Sequence, residues 1–127
     1  MIRARALKIV LVVVGLFFAS NVYWVLTLRE ETLQMMLSIY ATLGVFLLLA
    51  ARKPSANRSL IAFTAWSSIA HAAVMAVQSR YDVGERMHLT IGAIAFGVIG
   101  ATLVSLAPAK LRTAASFRPS AEVEPAA

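Results

Sequence analysis

The chain has 127 residues, of which 60% are hydrophobic and 14% are charged, and it contains no cysteine. Its length corresponds to one domain, and so apolar a composition lies outside the usual range of soluble proteins. The lack of cysteine excludes disulfides and thiolate metal sites. The net charge of +6 comes from basic residues that flank apolar runs and form no single basic face, which argues against nucleic-acid binding.

Four charge-poor runs follow one another along the chain, and each is long enough to cross a bilayer as a helix. They predict transmembrane helices at about 9–28, 32–51, 59–79 and 87–109, a membrane domain of residues 1–110 and a disordered tail at 111–127. Arg3, Arg5 and Lys8 precede the first run, as in a signal peptide. However, the run is about twice as long as a signal-peptide core. We therefore interpret it as an uncleaved first span.

Short connections between the runs predict how the helices are arranged. Arg29-Glu30-Glu31 separates the first two, so these helices are expected to be antiparallel neighbours. Pro54 ends the second, because proline does not continue a helix, and Asn57 is placed to cap the third. The predicted fold class is therefore all-α, an integral membrane four-helix bundle with up-down-up-down topology.

Lysine and arginine are distributed unevenly between the two sides of such a bundle. Three lie before the first run, three at 52–58 and three in the tail, which makes nine, against Arg29, Arg80 and Arg86 on the other side. The positive-inside rule then places both termini in the cytoplasm. The expected location is the plasma membrane, which is the inner membrane of a bacterium.

The third run contains a single ionisable residue, His71, near its middle. An ionisable group at membrane depth suggests a functional site, because its burial is unfavourable without a partner. At about 1.5 Å per residue, Asn21, Tyr40 and His71 lie at similar depths, and Ser67 is one helical turn from His71. With Trp66, these residues are the candidate ligand-binding site. Alternatively, the polar groups hydrogen-bond between helices and only hold the bundle together.

The surroundings of this candidate site can also be predicted. His88, with Asp82 or Glu85, is expected at the mouth of a pocket that opens to the extracytoplasmic side. Trp66 lies away from the interfacial belts, so packing in the core is preferred to a ligand-stacking role. The pair Phe17-Phe18 is expected to face lipid.

The fourth run carries small residues at a spacing of four, Ala93, Gly97, Ala101 and Ser105. A stripe of this kind lets another backbone approach closely, which is how helices associate in lipid. The stripe is expected to pack against a helix of the same chain or of a membrane-protein partner, a second copy included.

The stretch Met35–Gln78 resembles a family of small bacterial four-helix membrane proteins of unknown function. The most distinctive pieces are SIYATLG at Ser38–Gly44 and the pattern NRSLI…WSS…H at Asn57–His71. The resemblance extends over about Arg3–Lys110 and implies the same fold, but it supplies no catalytic residue. More loosely, the size and helix number are similar to those of DoxX-like membrane proteins, some of which are linked to quinone or sulfur redox systems.

No nucleophile elbow, phosphate-binding loop or pair of intramembrane carboxylates is present, and two histidines on different helices are too few for a metal site. His71 is the one candidate acid or base, so an enzyme is disfavoured. The sequence favours a non-enzymatic accessory or interaction protein that acts through helix packing. The alternative is a binder or carrier of a small hydrophobic ligand, such as a quinone, in the polar pocket around His71. No other cofactor is expected.

Overall fold

The computed structural model describes residues 1–108, and these are helical apart from short connections. The elements in chain order are α1 (Ile2–Ala19), α2 (Asn21–Thr27), α3 (Glu31–Ala50), a 3₁₀ turn (Pro54–Asn57), α4 (Arg58–Tyr81) and α5 (Arg86–Leu106). Four helical stretches are long and apolar enough to cross a membrane, Ile2–Thr27, Glu31–Ala50, Pro54–Tyr81 and Arg86–Leu106. The prediction of an all-α protein with four apolar helices is therefore confirmed. The tail predicted to be disordered, 111–127, lies outside the described residues.

The first span is nearly continuous, with an irregular turn at Ser20 between α1 and α2. The Ser20 hydroxyl donates to the carbonyl of Phe17 at 2.7 Å, and the Asn21 amide donates to the carbonyl of Phe18 at 3.0 Å. Side chains that bond carbonyls one turn back compete with the backbone hydrogen bonds of the helix. The same kind of bond, such as Ser38 to the carbonyl of Met35, occurs inside the continuous helix α3, so these bonds accompany the turn at Ser20 without being sufficient to cause it.

The helices form two closely packed pairs, α1 with α3 and α4 with α5, and α2 continues the first pair along α3. Less extensive contacts of α1 with α5 and of α3 with α4 close the bundle. Nη2 of Arg3 donates to the carbonyls of Ser105 at 2.8 Å and Ala107 at 3.2 Å. This contact joins the start of the first span to the end of the last, and the predicted up-down packing is confirmed.

Two glycines bring α1 and α3 close together. A Cβ atom added at Gly44 would lie 2.7 Å from the carbonyl oxygen of Gly15 and 2.8 Å from the carbonyl carbon of Phe18. It would also clash with the backbone nitrogen of Ala19. Because these are backbone atoms of the neighbouring helix, no side-chain rotation can relieve the clash.

Glycine also permits the close approach of α5 to α4, at Gly100. A Cβ atom there would lie 2.5 Å from Cγ1 of Ile69 and 2.8 Å from the carbonyl oxygen of Ala65. At Gly97, by contrast, the nearest atom would be Cβ of Ala72 at 3.9 Å, an ordinary contact. The closest packing of α5 therefore runs beside the small-residue stripe and not through Gly97.

The other members of that stripe differ in exposure. Ala93 is half-buried, whereas Ala101 and Ser105 are exposed on the surface of the single chain. Packing of the exposed members against a partner stays a prediction.

The bundle has two ends of different charge. We call the end that holds Met1, the 51–57 connection and Pro108 the basic end; among residues 1–108 it carries no acidic side chain. We call the opposite end, with the connections 28–30 and 82–85, the acidic end. All four acidic side chains of the described chain lie there: Glu30, Glu31, Asp82 and Glu85.

The hydrophobic core occupies only the half of the bundle nearer the basic end. No residue in 19–40 or in 69–99, the segments toward the acidic end, is buried. The bundle is thus tightly packed at one end and open at the other. The core consists of Leu7, Leu11, Val14, Phe18, Leu47, Ala51, Ile61, Ala65 and Leu103.

The orientation of the bundle in the membrane is a prediction that cysteine labelling can test, since the natural chain has no cysteine. A membrane-impermeant maleimide applied to intact cells should label Glu30→Cys and Val83→Cys at the acidic end. Ser55→Cys at the basic end should react only after the membrane is permeabilised, because the positive-inside rule places that end in the cytoplasm. The reverse pattern would contradict the predicted orientation.

Candidate functional site

One aromatic ring from each span meets the others where the packed core ends. The rings belong to Phe18 of α1, Tyr40 of α3, His71 of α4 and Phe96 of α5, and we call them the ring layer. The ring centroids of His71 and Phe96 are 4.4 Å apart, and those of Tyr40 and His71 are 5.5 Å apart at an edge-to-face angle of 76°. Phe18 lies 5.2 Å from Tyr40. These separations are typical of attractive aromatic contacts.

Phe18 belongs to the ring layer because it lies on the inward face of α1. It follows Leu11 and Val14 at helical spacing, and all three are buried. The prediction that Phe17-Phe18 faces lipid is therefore wrong for Phe18, which has no exposed surface, whereas Phe17 is 52% exposed. Adjacent positions on a helix point about 100° apart, so both rings cannot share one environment.

Two glycines on the same face of α5 as Phe96 let this helix approach α4 closely enough for the Phe96 ring to join the ring layer. Gly92 and Gly100 lie one helical turn on either side of it, and both are covered by side chains of α4. The short distance between the two helices brings the Phe96 ring against His71. Neither phenylalanine was predicted to belong to the site.

Tyr40 and His71 carry the polar atoms of the ring layer. Among residues 1–108, neither the Tyr40 hydroxyl nor the His71 imidazole makes a hydrogen bond to another group, and both residues are half-buried. No fully buried side-chain nitrogen or oxygen of the described chain lacks a hydrogen-bond partner. The polar atoms of Tyr40 and His71 therefore keep surface that another molecule can reach.

An open cleft of about 890 Å³ lies toward the acidic end, between α3 and the α4–α5 pair. Met36 and Met75 line it, and they lie one helical turn beyond Tyr40 and His71. Methionine side chains are flexible and adapt to irregular shapes. The cleft is lined by Leu33, Met36, Met75, Val77, Gln78, Tyr81, Asp82, Val83, Glu85, His88 and Leu89.

The three ionisable residues expected at the mouth of a pocket all line this cleft. Asp82, Glu85 and His88 lie at its outer rim, and Nδ1 of His88 is 3.8 Å from a carboxylate oxygen of Glu85. Both partners are largely exposed, so this contact adds little to stability. Within residues 1–108, no three His, Asp or Glu side chains are grouped so that they could hold a metal ion.

Two other predicted site residues use their polar groups locally. The Asn21 amide donates to the carbonyl of Phe18 at 3.0 Å, and the Ser67 hydroxyl donates to the carbonyl of Thr64 at 3.2 Å. Neither bonds to His71 within the described chain. They stay candidate contacts for a ligand, but they do not orient the imidazole.

Trp66 lies on the outer face of α4, and 65% of its surface is exposed. The prediction that it packs in the core is therefore wrong for the single chain. The buried positions of α4 include Thr64, Ala65 and Ser68, so the inward face of the helix carries small side chains and position 66 does not belong to it. In a membrane an outward indole contacts lipid, which carries little penalty. Trp66 does not line the cleft, and neither do Tyr40 and His71 themselves.

A family model matches residues 4–123 of the chain; it is described as a family of unknown function, DUF6632. Comparison with curated proteins found no match. Comparison with solved structures found none either.

Proposed function

The chain belongs to this family of unknown function, and we propose that it is a non-enzymatic binder of a small amphipathic molecule in the plasma membrane. The polar head of the ligand would lie against His71 and Tyr40, and its apolar part would occupy the cleft beside Met36 and Met75. Quinones are the first class to test. The loose resemblance to DoxX-like proteins, itself still a prediction, points to the same class.

One observation carries this proposal: the polar atoms of Tyr40 and His71 make no hydrogen bond among residues 1–108 and keep accessible surface. Neither ring lines the open cleft itself, but each lies one helical turn from a methionine that does, Met36 or Met75. A polar group at membrane depth is unfavourable unless a hydrogen bond compensates it. Tyr40 offers a hydroxyl that can donate or accept, and a neutral imidazole offers one donor and one acceptor. A ligand carbonyl or hydroxyl can complete these hydrogen bonds.

The rest of the cleft fits the apolar part of such a ligand. Leu33, Met36, Met75 and Leu89 present hydrophobic side chains, while the charged groups lie at the rim. Ligand sites commonly combine a mostly apolar wall with a few polar groups that fix orientation. The arrangement supports binding and carriage.

Co-purification tests the proposal. The full-length chain would be purified from native membranes, and its bound small molecules extracted and identified by mass spectrometry, with another four-span membrane protein prepared in parallel as the control. We expect one class of amphipathic molecule, enriched over bulk lipid and absent from the control. Equal lipid profiles in the two preparations would contradict the proposal.

The second candidate is an accessory protein that packs against a membrane-protein partner through the small-residue stripe. Its support is the exposure of Ala101 and Ser105 on the outer surface of α5. The same purification distinguishes the two candidates. A stoichiometric protein partner with no enriched small molecule would favour the accessory role.

A further inference from the structure

A second cavity, of about 550 Å³, opens at the basic end of the bundle. It lies between the first turns of α1, the connection from α3 to α4, and the end of α5. Arg3, Lys8, Arg52 and Lys53 line it, and Leu7 and Leu106 supply apolar wall. The cavity is at the end of the bundle opposite the cleft and shares no residue with the cleft or the ring layer.

The four cations of this cavity have no acidic neighbour within the described chain. Every acidic side chain of residues 1–108 lies at the acidic end, across the length of the bundle. Like charges gathered around one space repel each other unless an anion neutralises them. The cavity therefore favours a negatively charged occupant.

Arg3 is already oriented for such an occupant. Its Nη2 group donates to the carbonyl of Ser105, in the last turn of α5, and to that of Ala107, which directly follows the helix. Nε and Nη1 make no hydrogen bond within residues 1–108. A guanidinium held in this way presents its remaining donors to a phosphate or carboxylate at little loss of conformational entropy.

The position of the cavity narrows the choice of anion. It lies at the ends of helices that are long and apolar enough to cross a membrane, and the ends of such helices lie at the depth of the lipid headgroups. Leu7 and Leu106 continue from it into the apolar bundle surface and core. A ligand with an anionic head and an apolar tail matches both parts of the wall.

We propose that the basic-end cavity binds the phosphodiester headgroup of an anionic phospholipid, with the acyl chains along the neighbouring helices. This site is independent of the proposed ligand at His71. The competing occupant is the chain's own segment 109–127, which follows Pro108 at the rim and includes Glu122 and Glu124.

Lipid binding by matched charge variants tests the proposal. The full-length protein in a zwitterionic detergent would be titrated with phosphatidylglycerol, with phosphatidylcholine as the zwitterionic comparison of zero net charge, and bound lipid counted by native mass spectrometry. Arg52→Gln/Lys53→Gln removes two cavity cations and should weaken the first binding step by about tenfold. Arg5→Gln/Arg58→Gln removes the same charge from the same end, outside the cavity, and should change it by less than about twofold.

Four results would overturn the proposal. Equal weakening in both double variants would show a diffuse attraction to the basic surface. Binding of phosphatidylcholine as strong as that of phosphatidylglycerol would show that the net negative charge of the headgroup does not determine binding. Full displacement of the lipid by inorganic phosphate at equal concentration would assign the site to a soluble anion. Binding by Glu122→Gln/Glu124→Gln but not by the natural chain would show that the segment 109–127 occupies the cavity.

Discussion

Replacing Gly44 with alanine should lower the free energy of unfolding by about 2–3 kcal/mol, which is the upper part of the usual range for overpacking. The added methyl group would meet backbone atoms of Gly15, Phe18 and Ala19 on the neighbouring helix. Relief requires α1 and α3 to move apart, so contacts along the whole interface weaken. Equilibrium unfolding of the purified protein by a denaturing detergent, followed by circular dichroism, measures the change.

Gly97→Ala is the matched control for Gly44→Ala. It adds the same methyl group to another glycine in the middle of a span, where the nearest atom is Cβ of Ala72 at 3.9 Å. Its effect should stay within about 0.5 kcal/mol. If Gly97→Ala destabilises the protein as much as Gly44→Ala does, the α1–α3 contact is not the close approach described above.

The spans were predictable because a charged group at membrane depth is strongly unfavourable. Charge is therefore excluded from four segments, and hydropathy alone locates them. The start of the first helix was harder to place. α1 begins at Ile2, before the predicted start near residue 9, because the basic residues of its first turns can reach the headgroup region while their backbone stays helical.

The face that each helix turns inward was much harder to predict. A helix that is apolar all round gives no amphipathic signal to separate its inward face from its lipid face. On α5, the stripe through Gly97 and the line through Gly92 and Gly100 have the same spacing of four and adjacent positions. Ile69 and Met75 of α4 pack against the line through Gly92 and Gly100. This line, and not the stripe through Gly97, therefore lies at the contact between the two helices.

Part of the candidate site could be predicted from the depth of its residues along the spans. The rise per residue predicted that Tyr40 and His71 lie at one level, and their rings are in contact. The inward position of Phe18 could have been predicted from its helical spacing with Leu7, Leu11 and Val14, although Phe18 was predicted to face lipid. The cleft was not predictable, since it depends on how far the two helix pairs separate beyond the core, and no local pattern encodes that distance.

Two substitutions of His71 separate a role in ligand binding from a purely structural role. His71→Ala removes both the imidazole nitrogens and the ring that packs 4.4 Å from Phe96, so it should lower both thermal stability and the amount of co-purified ligand. His71→Phe keeps an aromatic ring and removes only the polar atoms. It should restore stability while ligand binding stays weaker by about tenfold, the usual effect of losing one buried hydrogen bond.

Trp66→Phe is the control for the His71 variants, because Trp66 belongs to the same helix but lies on its outer face, whereas His71 packs against Tyr40 and Phe96. It should leave both the melting temperature and the bound ligand unchanged, since its indole contacts lipid and not the ring layer. Thermal denaturation and quantitative mass spectrometry of the extracted ligand measure the two effects on the same preparations. If His71→Phe retains the ligand at the natural level, the imidazole nitrogens do not contact it, and His71 only fills space among the rings.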